Sequence, residues 1–300
     1  MTRAAPLIEH VEHGSLPCLR ITLGDAELVI ARQGAQVMSY RRGVSAPPII
    51  WLSPEEDGQK GRPIRGGVPV CWPWFGALAR NPMDVQGQFN GGEPPQHGLV
   101  RQLEWQLGEI EETDASVELT FDAPTSFADW PHQSTLRLRI RLDDALHLDL
   151  FTTNDGEIAL PLSQALHTYF RIGDIHQVHI DGLDGCRYLN TLESWEDEHL
   201  QVDAVRFTAE TDRIYMDVPG EVSIIDPVFE RRITLESRGS ASAVVWNPWI
   251  DKAARTPQFP DDGWQEMLCI ETANVMDDRL LLKPGQIHQL GVTLRSEMLG

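Results

Sequence analysis

The segment TLRLRIRL (135–142) constrains the fold more than any other part of the chain. Leu136, Leu138, Ile140 and Leu142 alternate with Arg137, Arg139 and Arg141. A strand sends successive side chains to opposite faces, so this period of two sorts one apolar face from one cationic face, which a helix would not do. Asp143-Asp144 then supplies a turn, and ALHLDLF (145–151) alternates again, which predicts a hairpin. Similar patterning recurs in CLRITL (18–23), AELVIA (26–31), SVELTF (116–121), HQVHIDG (176–182), EVSIID (221–226), RRITLES (231–237), AVVWN (243–247) and HQLGVTLRS (288–296). Gly, Pro, Asn and Asp clusters separate these runs. Helical periodicity is scarce, and DDGWQEM (261–267) offers one or two turns. So many short antiparallel strands predict an all-β protein, a large antiparallel β-sandwich with few short helices.

No low-complexity linker divides the chain, so residues 1–300 are expected to form a single domain, with 53–67 and 81–96 as long connections inside it. Hydrophobic residues make up 41%, enough for a substantial core. The net charge of −20 repels nucleic-acid phosphates and anionic membranes, which removes both as bulk partners. An anionic small molecule would have to be drawn in by a local positive cluster. The four cysteines, at 18, 71, 186 and 269, form no C-x-x-C pair and argue against zinc ribbons and a disulfide scaffold. MTRAAPLIEH has no apolar run of signal-peptide length and no later segment is long enough to span a membrane, so the cytoplasm is the expected location.

Walker loops, G-x-S-x-G elbows and H-E-x-x-H motifs are absent. His176 and His179, on the expected strand, would point to opposite faces, which disfavours a metal pair. Five segments place polar groups among turn-forming or aromatic residues. GRPIRGGVPVCWPWFGA (61–77) carries Arg62 and Arg65 beside Gly66-Gly67, a pair able to form a turn or to let backbone approach a ligand. PQHGLVRQLEW (95–105) carries Gln96, His97 and Arg101, and SQALHTYFRIGD (163–174) holds His167 amid apolar and aromatic neighbours. ETDRIYMDVPG (210–220) carries Asp212 and Arg213, and LCIETANV (268–275) carries Glu271 on one face with Cys269 and Ala273.

Each has a bland explanation. Arg65 and Arg101 could be surface ion-pair partners, His167 a satisfied core imidazole, and Asp212 a turn former. Trp72, Trp74, Phe75, Trp246 and Trp249 could all be core. Glu271 is the hardest to account for so simply, because a pocketed carboxylate costs several kcal/mol to desolvate unless neutral or paired.

Taken in order, RGGVPVCWPWFG, QHGLVR, LHTYF, DRIY, VVWNPW and ETANV resemble the hexose-6-phosphate mutarotases (glucose-6-phosphate 1-epimerases), within the galactose-mutarotase-like, or aldose 1-epimerase, superfamily. The matching stretches run from about residue 62 to 275, and Leu99-Val100 stands where the family often has Phe-Ala. The resemblance implies a sugar held in a cleft on a concave sheet, with no cofactor and no metal. It places the catalytic histidine on His167 and the catalytic glutamate on Glu271. Arg65, Gln96 and Arg101 fall on its sugar-phosphate contacts, Asp212 on a contact to sugar hydroxyls, and His97 on a histidine that lines the site across the superfamily.

Anomer exchange opens a hemiacetal ring. A base takes the C1 hydroxyl proton, an acid protonates the ring oxygen, the C1–C2 bond rotates, and the ring closes on the other face. A carboxylate and an imidazole suit those roles near neutral pH. Two other readings use the same sandwich: an aldose 1-epimerase for unphosphorylated sugars, which needs no guanidinium pair, and a non-catalytic carbohydrate-binding module, which needs neither His167 nor Glu271. A glycosidase would require two flanking carboxylates, for which only Asp212 and Glu271 offer themselves.

Overall fold

In the computed structural model, which describes residues 5–127 and 129–300, the alternating segment forms the strand Ser134–Leu142 and returns as Leu146–Asn154. Pairing runs from Leu142 opposite Leu146 to Ser134 opposite Asn154. Leu136, Leu138, Ile140 and Leu142 are at most 2% exposed. Arg137 and Arg139 lie on the other face and meet carboxylates of neighbouring strands, Arg137 at 2.7 Å from Asp122 and Arg139 at 3.0 Å from Asp149.

This hairpin belongs to an eight-stranded antiparallel sheet. Its spatial order is His179–Asp181, Glu221–Asp226, Arg231–Arg238, Ile287–Met298, Leu146–Asn154, Ser134–Leu142, Val117–Asp122 and Gln106–Glu112. A second sheet of eight strands runs Glu198–Leu200, Arg187–Asn190, Thr211–Met216, Ser242–Asn247, Met267–Asn274, Gln164–Leu166 and Val70–Cys71, with Tyr169–Arg171 also paired to Met267–Asn274. Leu138, Ile140, Leu148 and Ile233 of the first sheet share one apolar cluster with Leu166, Phe170, Val245 and Ile270 of the second. The architecture is thus a β-sandwich with few short helices, flanked by a four-stranded meander over residues 7–42.

The strand Met267–Asn274 sits near the middle of the second sheet and is buried at every position. Both Gln164–Leu166 and Tyr169–Arg171 pair with it, Leu166 opposite Thr272 and Tyr169 opposite Cys269. The register is the same on both sides of the two-residue break, so His167 falls opposite Glu271. Buried polar groups anchor this register at one end. Thr152 Oγ1 donates to Gln164 Oε1 at 2.8 Å, and Gln164 Nε2 donates to Asn274 Oδ1 at 3.1 Å. Thr152 belongs to the first sheet, so the chain of hydrogen bonds ties the two layers together. A satisfied buried network of this kind fixes one arrangement, because any slip would leave its members unpaired.

Two sequence expectations need correction. HQVHIDG forms a strand only over His179–Asp181. His176 lies in a preceding turn, where the Asp174 carboxylate accepts its backbone N–H at 2.9 Å, so the two histidines do not share a strand. DDGWQEM does yield one short turn, Gly263–Gln265. The Gly66-Gly67 pair is a packing device, not a ligand cradle. Both residues have positive φ, and a Cβ on Gly67 would lie 2.3 Å from the Val37 carbonyl oxygen. Glycine is needed there so that the segment can cross the Val37–Arg42 strand.

That contact gives a measurable contrast. Gly67→Ala should cost about 2–4 kcal/mol, combining left-handed strain with overpacking. Gly61→Ala has similar φ (+83°) but open space within 4 Å, and should cost about 1 kcal/mol. Urea denaturation of the two variants checks this; equal losses would contradict the packing explanation.

Candidate functional site

The face of the second sheet turned away from the sandwich core carries two rows of side chains. The register puts His167 opposite Glu271, Glu271 opposite Val244, and Val244 opposite Ile214. Two residues along, Tyr169 is opposite Cys269, Cys269 opposite Trp246, and Trp246 opposite Asp212. Side chains directly opposite one another across antiparallel strands have Cβ atoms about 4.5–5.5 Å apart. Segments far apart in sequence therefore converge because they alternate in step.

Above these rows lies a cavity of about 510 Å³. All seven candidate residues line it: Arg65, Gln96, His97, Arg101, His167, Asp212 and Glu271. The rim is built from the 72–81 and 95–101 segments. The Phe75 N–H donates to Ser163 Oγ at 3.0 Å, Asn81 Nδ2 donates to the Phe75 carbonyl at 2.8 Å, and Ser163 Oγ donates to Asn81 Oδ1. The His97 N–H donates to the Gly76 carbonyl at 2.8 Å, which docks one rim segment on the other.

His167 Nε2 is 3.4 Å from Glu271 Oε1. The imidazole is stacked on Tyr169, with ring centroids 4.8 Å apart and planes at 7°. Its Nδ1 and Glu271 Oε2 are buried without a protein partner among the described residues. Burial holds the His167 imidazole down at about 3, with Arg101 adding to the effect. Burial, aided by the Asp212 charge, pushes the Glu271 carboxyl well above the usual carboxylate range. Both shifts favour the uncharged forms, so between the two groups one proton resides on the carboxyl and the imidazole is free. His97 is also held neutral, its value well below the usual histidine range because it is buried beside His167, Arg101 and Arg65.

Arg101 is largely buried; its Nε has no partner, and burial lowers the guanidinium's affinity for its proton. Arg65 Nε donates to the Pro257 carbonyl at 3.3 Å. Among the described residues neither arginine makes an ion pair, so the surface ion-pair expectation is overturned. Asp212 sits on a strand and not in a turn, 3.7 Å from Lys252 Nζ. Of the five aromatics, Trp72 and Trp74 are core, whereas Phe75 and Trp246 line the cavity.

Several lining residues escape the sequence reading. Tyr169 lies in the same segment as His167, but its sequence marks it only as an aromatic neighbour. Arg80 stacks over the Trp195 ring at 5.1 Å, and Lys252 and Arg255 complete the set of lining cations. Lys252 and Arg255 stand three apart in DKAAR, a spacing that brings them to one side of a helical turn and that could have marked them. The cavity thus counts Arg65, Arg80, Arg101, Lys252 and Arg255 against two carboxylates, one of which is held protonated. A chain of charge −20 has gathered positive charge here.

Comparison with known proteins identifies the family. Residues 17–295 match the model of the family "Aldose 1-epimerase". A protein of Escherichia coli (strain K12) named "Putative glucose-6-phosphate 1-epimerase" is 31% identical over 95% of both chains. One of the same name from Salmonella typhimurium is 33% identical, covering 90% of this chain and 89% of its own. The crystal structure of a Salmonella typhimurium protein described as "a putative mutarotase" superposes with a TM-score of 0.86 at 28% identity, over 97% of this chain and 94% of that one. The chain belongs to the aldose 1-epimerase family of carbohydrate isomerases.

Proposed function

We propose that the chain, as one catalytic domain, interconverts the α and β anomers of a hexose 6-phosphate. The observation that carries this reading is the His167–Glu271 pair, 3.4 Å apart in a cavity that also holds the unpaired, largely buried Arg101. A binding module has no use for a desolvated acid–base pair, and a neutral sugar needs no guanidinium pair. The relatives' shared name, with its phosphorylated sugar, supports the same choice.

In this reading His167 and Glu271 enter the reaction with a single proton between them. The free member takes the proton of the C1 hydroxyl as the protonated member delivers one to the ring oxygen. The ring opens to the aldehyde, the C1–C2 bond turns, and closure on the opposite face returns both protons. No group is consumed, so the pair is ready for the next turnover. Tyr169 holds the imidazole plane by stacking. Asp212 receives hydrogen bonds from sugar hydroxyls, while Arg65, Gln96 and Arg101 grip the phosphate, whose geometry suits guanidinium forks. Four free, buried cysteines suit a reducing compartment, and the reading places the enzyme in the cytoplasm.

Exchange between the anomeric NMR signals of glucose 6-phosphate tests the reading directly. The parent protein should accelerate it, and His167→Ala and Glu271→Gln should each lower kcat by about 10²–10⁴, the usual size of an acid–base contribution. Near-full activity in either variant would remove that residue from the mechanism. The pH profile follows from the same shifts. The active pair needs His167 unprotonated, which holds above about 3. It also needs Glu271 protonated, which holds below that carboxyl's raised value. Apart from the substrate phosphate's own ionisation at about 6, kcat/KM should therefore have its acid limb near 3 and its alkaline limb well above 4.5. An inflection near 6.5 belonging to His167 would contradict the neutral pair. Finally, hydrogen bonds to charged groups contribute about 1.5–3 kcal/mol. Arg65→Ala and Arg101→Ala should lower kcat/KM for glucose 6-phosphate about tenfold to hundredfold and barely affect turnover of free glucose. Equal losses on both sugars would mean that the arginines support the fold and do not read phosphate.

A further inference from the structure

Cys71 adjoins the site and has no part in the reaction as proposed. Cys71 ends the short strand Val70–Cys71, which pairs with Gln164–Leu166, the strand leading into His167. Its Sγ is 3.3 Å from His97 Nδ1. By itself this contact leaves the direction of the hydrogen bond open, since an imidazole nitrogen donates in one tautomer and accepts in the other. A second contact decides it. The backbone N–H of Gly76 points at the same Nδ1 from 3.2 Å. A backbone N–H only donates, so Nδ1 must be the acceptor, and the thiol donates to it as well. His97 then carries its proton on Nε2. That atom has no hydrogen bond to protein among the described residues, while the ring lines the cavity, edge-on to His167 at 5.3 Å and to Phe75 at 5.1 Å.

We propose that Cys71 is a positioning residue: with the Gly76 amide it locks His97 in the Nε2–H tautomer, so that His97 presents a fixed hydrogen-bond donor to a sugar oxygen beside the His167–Glu271 pair. This rests on the anomerase reading for what the donor serves, but the tautomer stands independently of it. The surroundings are consistent throughout. Cys71 is fully buried, and burial keeps its thiol protonated, hence a donor. Two donors on Nδ1 also oppose its protonation, which keeps His97 neutral where a cation would repel the nearby Arg65 and Arg101. A donor held in place before the ring opens needs no reorganisation as charge shifts between the sugar oxygens. His97 itself is held in the left-handed region, at φ +62°, which fixes the direction from which its ring enters.

The ¹⁵N NMR spectrum of histidine-labelled full-length protein reads the tautomer without reference to turnover. His97 should show a protonated Nε2 and an unprotonated Nδ1. In Cys71→Ala the His97 titration should move upward, because one donor to the neutral form is gone, and kcat/KM for glucose 6-phosphate should fall about threefold to tenfold, the range of one ordinary hydrogen bond. Cys71→Ser keeps a donor and should reverse both changes, which a simple loss of packing volume would not explain. A protonated Nδ1 in the parent spectrum would overturn the proposal, as would a Cys71→Ala variant with unchanged His97 titration. If Cys71→Ala does not fold, the parent spectrum and the Cys71→Ser variant decide the matter. If glucose 6-phosphate is not a substrate, the tautomer and the titration still test the lock separately.

Discussion

The in-step pairing of residues 164–171 with Met267–Asn274 is the constraint on which the site depends. It places His167 opposite Glu271, and the same strand passes the alignment on to Val244 and Trp246, and through them to Ile214 and Asp212. A slip by one residue would turn the carboxylate into the sandwich core and bring Ile270 into the cavity. The slip is resisted at one end by the Thr152–Gln164–Asn274 hydrogen bonds and along the back by apolar residues such as Leu166, Phe170 and Ile270. The chemistry and the fold are therefore secured by one set of contacts.

Burial at the centre of a sheet also settles the state of the pair. Separated ions there would each carry a desolvation cost of several kcal/mol. The proton avoids that cost by residing on the carboxyl. What remains is an acid and a base side by side, each uncharged, as the proposed ring opening requires. Asp212 and Arg101 press on the equilibrium from either side, the first by raising Glu271 and the second by lowering His167.

The first sheet was legible because one of its faces meets water. Arg137 and Arg139 alternate with core leucines, and the hairpin could be drawn from letters alone. The second sheet was much less so. Met267–Asn274 is buried on both faces, so its residues mix Cys, Glu, Thr and Asn with apolar ones and show no alternation. His167 lies in a break between two three-residue strands, too short for periodicity to register. The seven candidate side chains stood out as polar groups among turn-forming and aromatic residues, their roles came from resemblance to a family, and the structure brings them into one cavity. Arg80 and Trp195 carry no sequence signal because their role comes from where distant loops meet, whereas Lys252 and Arg255 carry only the three-residue spacing in DKAAR. Gly66-Gly67 left a turn and a ligand approach both open, because the same glycines that admit a ligand also admit a neighbouring strand.

The cationic lining of a strongly anionic molecule has a kinetic consequence. For the sugar phosphate proposed as substrate, the whole protein's negative field acts on the approach within roughly a Debye length of the surface, about 8 Å in physiological salt. Within the cavity the anion meets guanidinium groups instead. Added salt weakens both fields, so it should ease the approach while loosening the grip. Association and release of such an anion should then both quicken with ionic strength.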